Sequence, residues 1–98
     1  LENPLILSRA GVDVAICTDH PEVPIQYLPL CAALAVKGGM DEESALAAIT
    51  INAARIVGLD GLLGSLTPGK EADIVVTGRH PLELLGSVRA VLIGGQRI

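Results

Sequence analysis

Thr18-Asp19-His20 stands where the apolar run Val12-Asp13-Val14-Ala15-Ile16-Cys17 gives way to polar residues and prolines. Parallel α/β folds place ligand and metal chemistry at the carboxyl ends of buried strands, because those ends open onto the functional face. Asp19 is therefore the residue best suited to chemistry. Little else nearby in sequence could complete a catalytic set with it. His80 precedes Pro81 in a glycine-rich stretch and reads as a surface turn residue. Asp73 precedes an apolar strand and reads as structural, an acceptor for the Pro68-Gly69 turn. Cys17 and Cys31 match no C-x-x-C or paired zinc spacing and read as reduced, buried thiols. Cys17 neighbours an acid and no cation, so nothing favours its thiolate, and it reads as core.

The elements that must position Asp19 follow from local signals. Asn3-Pro4 opens a short helix through Ala10, with Gly11 as its stop. Val12 to Cys17 then reads as a strand apolar enough to be covered on both faces of a parallel sheet. Residues 20–26 form a proline-punctuated loop, and a second helix runs from about Tyr27 to Lys37, with Pro29 in its first turn and Gly38-Gly39 ending it. Asp41 caps a third helix whose first turn carries Glu42 and Glu43, where they favour the helix dipole. Ala45, Leu46, Ile49, Ala53, Ile56 and Val57 keep helical spacing. Thr50 is placed to cap a fresh helix through Val57, and Asn52 and Arg55 read as helix-end and packing residues.

After Gly58 the pattern becomes β. Pro68-Gly69 suits a turn with positive φ at the glycine. Ala72 to Thr77 and Val88 to Ile93 read as strands, and Gly94-Gly95 as a tight hairpin turn into Gln96-Arg97-Ile98.

Bulk properties narrow the function classes. The chain has 98 residues, half of them hydrophobic, with one Tyr and no Phe or Trp. That is enough for one small core of Ala, Leu, Ile and Val, burying roughly 60–70% of the unfolded surface. A net charge of −4 with scattered basic residues argues against nucleic acid. No stretch reaches the roughly 18 apolar residues of a membrane span. The expected setting is cytoplasmic. The chain starts at Leu1 rather than Met, which suits a piece of something longer.

Three segments carry a resemblance: Ala10-Gly11-Val12 through Thr18-Asp19, Thr50-Ile51-Asn52-Ala53-Ala54-Arg55 through Gly58-Leu59, and Gly64-Ser65-Leu66-Thr67-Pro68-Gly69-Lys70-Glu71-Ala72-Asp73-Ile74-Val75-Val76. In this order they resemble the C-terminal end of the amidohydrolase superfamily, nearest to its imidazolonepropionase-like members. Ala53 departs from the family's usual proline, and His20-Pro21 is only a subgroup feature, which leaves the substrate open. The resemblance implies an α/β fold in two parts. Residues 1–60 would be the last helix, strand and helices of a metal-dependent hydrolase TIM barrel, and residues 61–98 the C-terminal strands of a small β-sandwich domain.

The same resemblance implies that Asp19 ligates a divalent metal, most often zinc, and serves as general base in hydrolysis of C–N bonds of cyclic or open amides. A bound cation lowers the pKa of water to about 7, and a neighbouring carboxylate can take the released proton. Adjacent residues at a strand end point in different directions, so His20 is implied to line the pocket mouth or contact substrate rather than to ligate the metal. The family's other ligands precede the part seen here. The chain alone is therefore expected to hold the metal poorly and to be inactive. Its partners are expected to be a small-molecule substrate and either the rest of its enzyme or another copy, since unpaired strand edges invite association. The competing reading is a non-catalytic oligomerisation or binding module derived from the same region. A small regulatory or nucleic-acid-binding domain has only its short helices in favour and acidic charge against it.

Overall fold

The computed structural model describes residues 3–83 and 86–98. Four helices are formed: α1 (Asn3–Arg9), α2 (Leu28–Lys37), α3 (Glu42–Ala48) and α4 (Ile51–Ile56). A three-stranded antiparallel sheet follows, β1 (Ile74–Thr77), β2 (Val88–Ile93) and β3 (Gln96–Arg97), in that order.

Three of the helices stop in the same way. Gly11, Gly39 and Gly58 adopt φ of +82°, +112° and +80°. In each case the glycine N–H donates three residues back and the next N–H five residues back, as in Val12 to the Leu7 carbonyl, Met40 to Ala35 and Leu59 to Ala54. This paired arrangement satisfies carbonyls left open at a helix end, and only glycine takes its left-handed turn without a Cβ penalty. Helix α2 begins as expected with Pro29 in its first turn, preceded by a 3-10 turn at Ile25–Tyr27. Asp41 caps α3: its carboxylate accepts from the Ser44 N–H at 3.0 Å and from the Ser44 hydroxyl at 2.7 Å. These bonds hold the Asp41 carboxyl below its ordinary range, the Ser44 hydroxyl contributing most and its N–H next.

The core is small and built from small residues. Ala32 and Ala35 of α2 meet Ala45 of α3, with Met40 between them and Leu82 beside them. Small residues dominate the contact between α2 and α3, and Met40 and Leu82 are the larger side chains of the cluster. Leu82 comes from the connection between β1 and β2, so the later part of the chain completes the core of the earlier part. Many apolar residues stay exposed, including Val12, Ile25, Leu66, Val75 and Val88.

In the sheet, Val75 pairs with Val91 and Leu92 with Arg97, and a bulge falls between Val76 and Thr77. Gly94 and Gly95 both have positive φ, +59° and +81°, the condition for the two-residue turn whose twist matches a hairpin. Gly69 likewise has φ +96°, and the Lys70 N–H closes its turn onto Thr67 at 3.2 Å.

Several expectations are corrected. Residues 12–17 form no strand: the segment has no regular secondary structure, and no ladder partner lies beside it among the described residues. Extended backbone becomes a strand only when a neighbour supplies the ladder. Strand alternation survives nonetheless, with Val14 and Thr18 buried and Ile16 half-buried on one side, and Asp13, Ala15 and Cys17 exposed on the other. Only one of the two expected covered faces is therefore covered. Cys17 lies on the open face rather than in the core, and Cys31 is half-buried. Asp73 does not serve the Pro68-Gly69 turn; it accepts from the Gly94 N–H at 2.9 Å, tying the β2–β3 turn to the approach to β1. Thr50 precedes α4, but its hydroxyl turns back to donate to the Leu46 carbonyl at 2.7 Å instead of capping.

Candidate active site

Asp19 follows directly on the segment of residues 12–18, which two elements hold. The Ile16 N–H donates to the Ala48 carbonyl at the end of α3, 3.0 Å away. The Asn52 side-chain amide, in α4, donates to the Val14 carbonyl at 3.3 Å, and the Asn52 oxygen in turn accepts from Arg55 at 3.2 Å. Both bonds reach the inward-facing residues 14 and 16, so the segment is clamped along one edge up to the point where it ends. Sequence reading treats Asn52 as a packing residue; its contact lies 38 positions away in the chain and leaves no local signal.

At Asp19 the backbone turns sharply. Its φ is +53°, a left-handed conformation that Asp tolerates better than most residues. The Asp19 carbonyl accepts from the Glu22 N–H at 2.9 Å, closing the turn. The carboxylate is exposed, and among the described residues no hydrogen bond or ion pair engages it. Thr18, just before it, is buried. His20 follows through a cis peptide to Pro21, and its Nδ1 accepts from the Ile25 N–H at 3.1 Å.

Asp19 and His20 share a hollow of about 360 Å³ walled by Ile16, Ile25 and Leu28. An open carboxylate beside apolar walls suits a cation-binding or proton-accepting role. A second hollow, of about 450 Å³, lies at the Asp13 end of the segment and gathers Asp41 and Glu43. Asp41 is already committed there to Ser44.

As a donor set for a divalent metal, the residues fit in part. Asp19 offers a hard, unshared oxygen ligand. Zinc requires three or four protein ligands, and among the described residues no three His, Cys, Asp or Glu side chains converge. His80 is not brought to Asp19 by any contact. Its Nδ1 accepts from the Leu82 N–H at 3.2 Å, and its Nε2 lies 3.6 Å from Glu42 at the start of α3.

The amidohydrolase family model matches residues 3–98. Over 73 residues the chain is 50% identical to imidazolonepropionase of Geobacillus kaustophilus, a match covering 71% of this chain and 17% of that protein. It is 35% identical over 88 residues to 5-methylthioadenosine/S-adenosylhomocysteine deaminase of Teredinibacter turnerae, covering 80% of this chain and 20% of that one. Among solved structures, an amidohydrolase from Thermotoga maritima superposes with a TM-score of 0.96 at 38% identity, covering 99% of this chain and 25% of its own. The helices and the small sheet thus correspond to about a quarter of that larger structure. The chain belongs to the amidohydrolase family. It spans about a fifth or less of the length of the curated relatives it matches.

Proposed function

We propose that the chain is the C-terminal part of a metal-dependent hydrolase of C–N bonds in cyclic or open amides. In this reading residues 1–60 close a TIM-barrel domain and residues 61–98 contribute strands to a small β-sandwich. Asp19 supplies one carboxylate to a divalent metal, zinc by the chemistry of such sites, with the remaining ligands coming from preceding segments of the enzyme. The metal, when bound, makes water a nucleophile near neutral pH. Asp19 then accepts the proton of the attacking water and hands it to the departing nitrogen. His20 contacts the substrate.

The observation that carries this reading is the unshared Asp19 carboxylate, held at the end of a clamped segment beside an apolar hollow. Family membership over residues 3–98 supports it. The uncovered face of residues 13, 15 and 17, and the exposed apolar residues Val12, Val75 and Val88, support a partner lying against the chain: the rest of the enzyme or another copy. Alone, the 98 residues are expected to be inactive, because one carboxylate does not hold zinc.

The test is metal analysis and an amide-hydrolysis screen on the full-length enzyme, with Asp19→Asn as the comparison. Loss of both metal and activity in the variant is expected. Full activity in Asp19→Asn would remove Asp19 from the mechanism.

A further inference from the structure

The loop that follows Asp19 is held in shape by hydrogen bonds rather than by packing of its own side chains. The Glu22 N–H donates to the Asp19 carbonyl at 2.9 Å, the Ile25 N–H to His20 Nδ1 at 3.1 Å and the Tyr27 N–H to the Pro24 carbonyl at 3.0 Å. Its apolar side chains are left free. Val23, Ile25 and Tyr27, at alternate positions of the loop, are all exposed, Ile25 most of the three at 61%. A short loop that fixes its backbone while presenting large apolar side chains is built to meet something else.

Ile25 and Leu28 carry this apolar surface to Asp19. Together with Ile16 they wall the hollow of about 360 Å³ that Asp19 shares. Its volume lies in the small-molecule range of roughly 300–1,000 Å³. Another segment of the enzyme seated on Ile25 would also have to lie across the hollow and shut the carboxylate in. A substrate group need not: a ligand with a polar end and an aliphatic end can meet the carboxylate and the wall together.

We propose that Ile25, with Leu28 beside it, forms the specificity-determining wall of this site, and that the substrate is an amide bearing an aliphatic group close to the C–N bond that is cleaved. The inference deepens the reading of Asp19 given above and rests on it. Loops beyond the carboxyl ends of barrel strands are where substrate choice is set, and this loop begins at Asp19 itself. Each methylene of substrate buried against the wall strengthens binding about fourfold. Because the backbone bonds already hold Ile25 in place, little ordering of the loop opposes that gain.

Two matched pairs of amides test this on the full-length enzyme: N-acetylglycine against N-acetylleucine, and hydantoin against 5-isopropylhydantoin. Within each pair only the aliphatic group differs. The wild type should favour the larger member of at least one pair by about tenfold or more in kcat/KM. Ile25→Ser should bring that ratio to within about threefold of unity, while Ile25→Val keeps most of it. An unchanged ratio in Ile25→Ser, a wild-type preference for the smaller members, or hydrolysis of none of the four overturns the proposal. Calorimetric titration of the same compounds into Asp19→Asn separates binding from turnover. The larger member should still bind more tightly there, and equal or absent binding within both pairs overturns the proposal. Ile25→Ser should unfold at the wild-type midpoint, since the side chain is exposed. A markedly lower midpoint would show that the enzyme itself covers the wall, and would also overturn it. Full activity in Asp19→Asn would instead count against the reading of Asp19, whereas an unchanged ratio in Ile25→Ser beside an inactive Asp19→Asn would count against the wall alone.

Discussion

The Asn52 side chain donates to the Val14 carbonyl at 3.3 Å, joining α4 to the segment that ends in Asp19. With the Ile16–Ala48 bond, it takes the place that a ladder neighbour would hold along this edge. Replacing Asn52 by Ala removes one partly buried hydrogen bond, which should cost about 1 kcal/mol. Urea unfolding measures the loss, and hydrogen exchange should show faster opening at Ile16 than at the α2 amides.

The role proposed for Asp19 predicts a larger effect, on chemistry rather than stability. If it is the proton acceptor, Asp19→Asn in the full-length enzyme should lower kcat by about 10²- to 10⁴-fold, measured on any amide that the wild type hydrolyses. Because the side chain is exposed and unpaired within the described residues, its unfolding midpoint without metal should stay close to that of the wild type.

Gly64 has no room for a side chain. At φ +99° a Cβ there would lie 2.9 Å from the Ala54 Cβ and 3.0 Å from the Ile51 Cα. Gly64→Ala should destabilise by about 1–3 kcal/mol through strain and overpacking together. Gly69→Ala is the control: its φ is +96° with open space around it, so only the conformational cost applies, and the unfolding midpoint should fall less.

Asp41 gives α3 a pH dependence of known sign. Its folded pKa lies below the ordinary 3.8, so between the two values the unfolded chain binds more protons than the folded one. The cap's contribution is then complete above the unfolded pKa and is lost as pH falls through the depressed folded value. Asn caps a helix as well as Asp but does not titrate. Unfolding midpoints of Asp41→Asn measured across the acid range should therefore be flatter with pH than those of the wild type.

Leu82→Ala should be the most damaging of the core truncations, at about 2–5 kcal/mol, since Leu82 is the largest aliphatic side chain in the buried cluster of Ala32, Ala35, Met40 and Ala45. Thermal unfolding followed by circular dichroism should show the helices of α2 and α3 melting earlier, although Leu82 belongs to neither.

Local chemistry was legible in the sequence wherever neighbours in the chain decide the structure. Asp41 with Ser44 three residues on, Pro68-Gly69, Gly94-Gly95 and the glycines after α1, α2 and α4 each specify their own turn or cap. The break in the chain at Asp19 was legible because an apolar run stops at an acid, and the backbone does turn there. Contacts made at a distance were not. Asp73 reads from its neighbours as an acceptor for the Pro68-Gly69 turn, and only the fold brings Gly94, 21 positions away, to its oxygen. Thr50 has the side chain of a cap, yet its hydroxyl finds the Leu46 carbonyl of the preceding turn first. Residues 12–17 have the composition of a doubly covered strand, but strand formation depends on neighbours that composition does not name.

Leu82 also sets an order of events. A ribosome makes the chain from its first residue onward, and α1 to α4 emerge before the connection that carries Leu82. Until that residue is free, the seam between α2 and α3 is open along one side. The nascent helices must wait, solvated and unsealed, for a side chain more than thirty positions beyond α3 to close them.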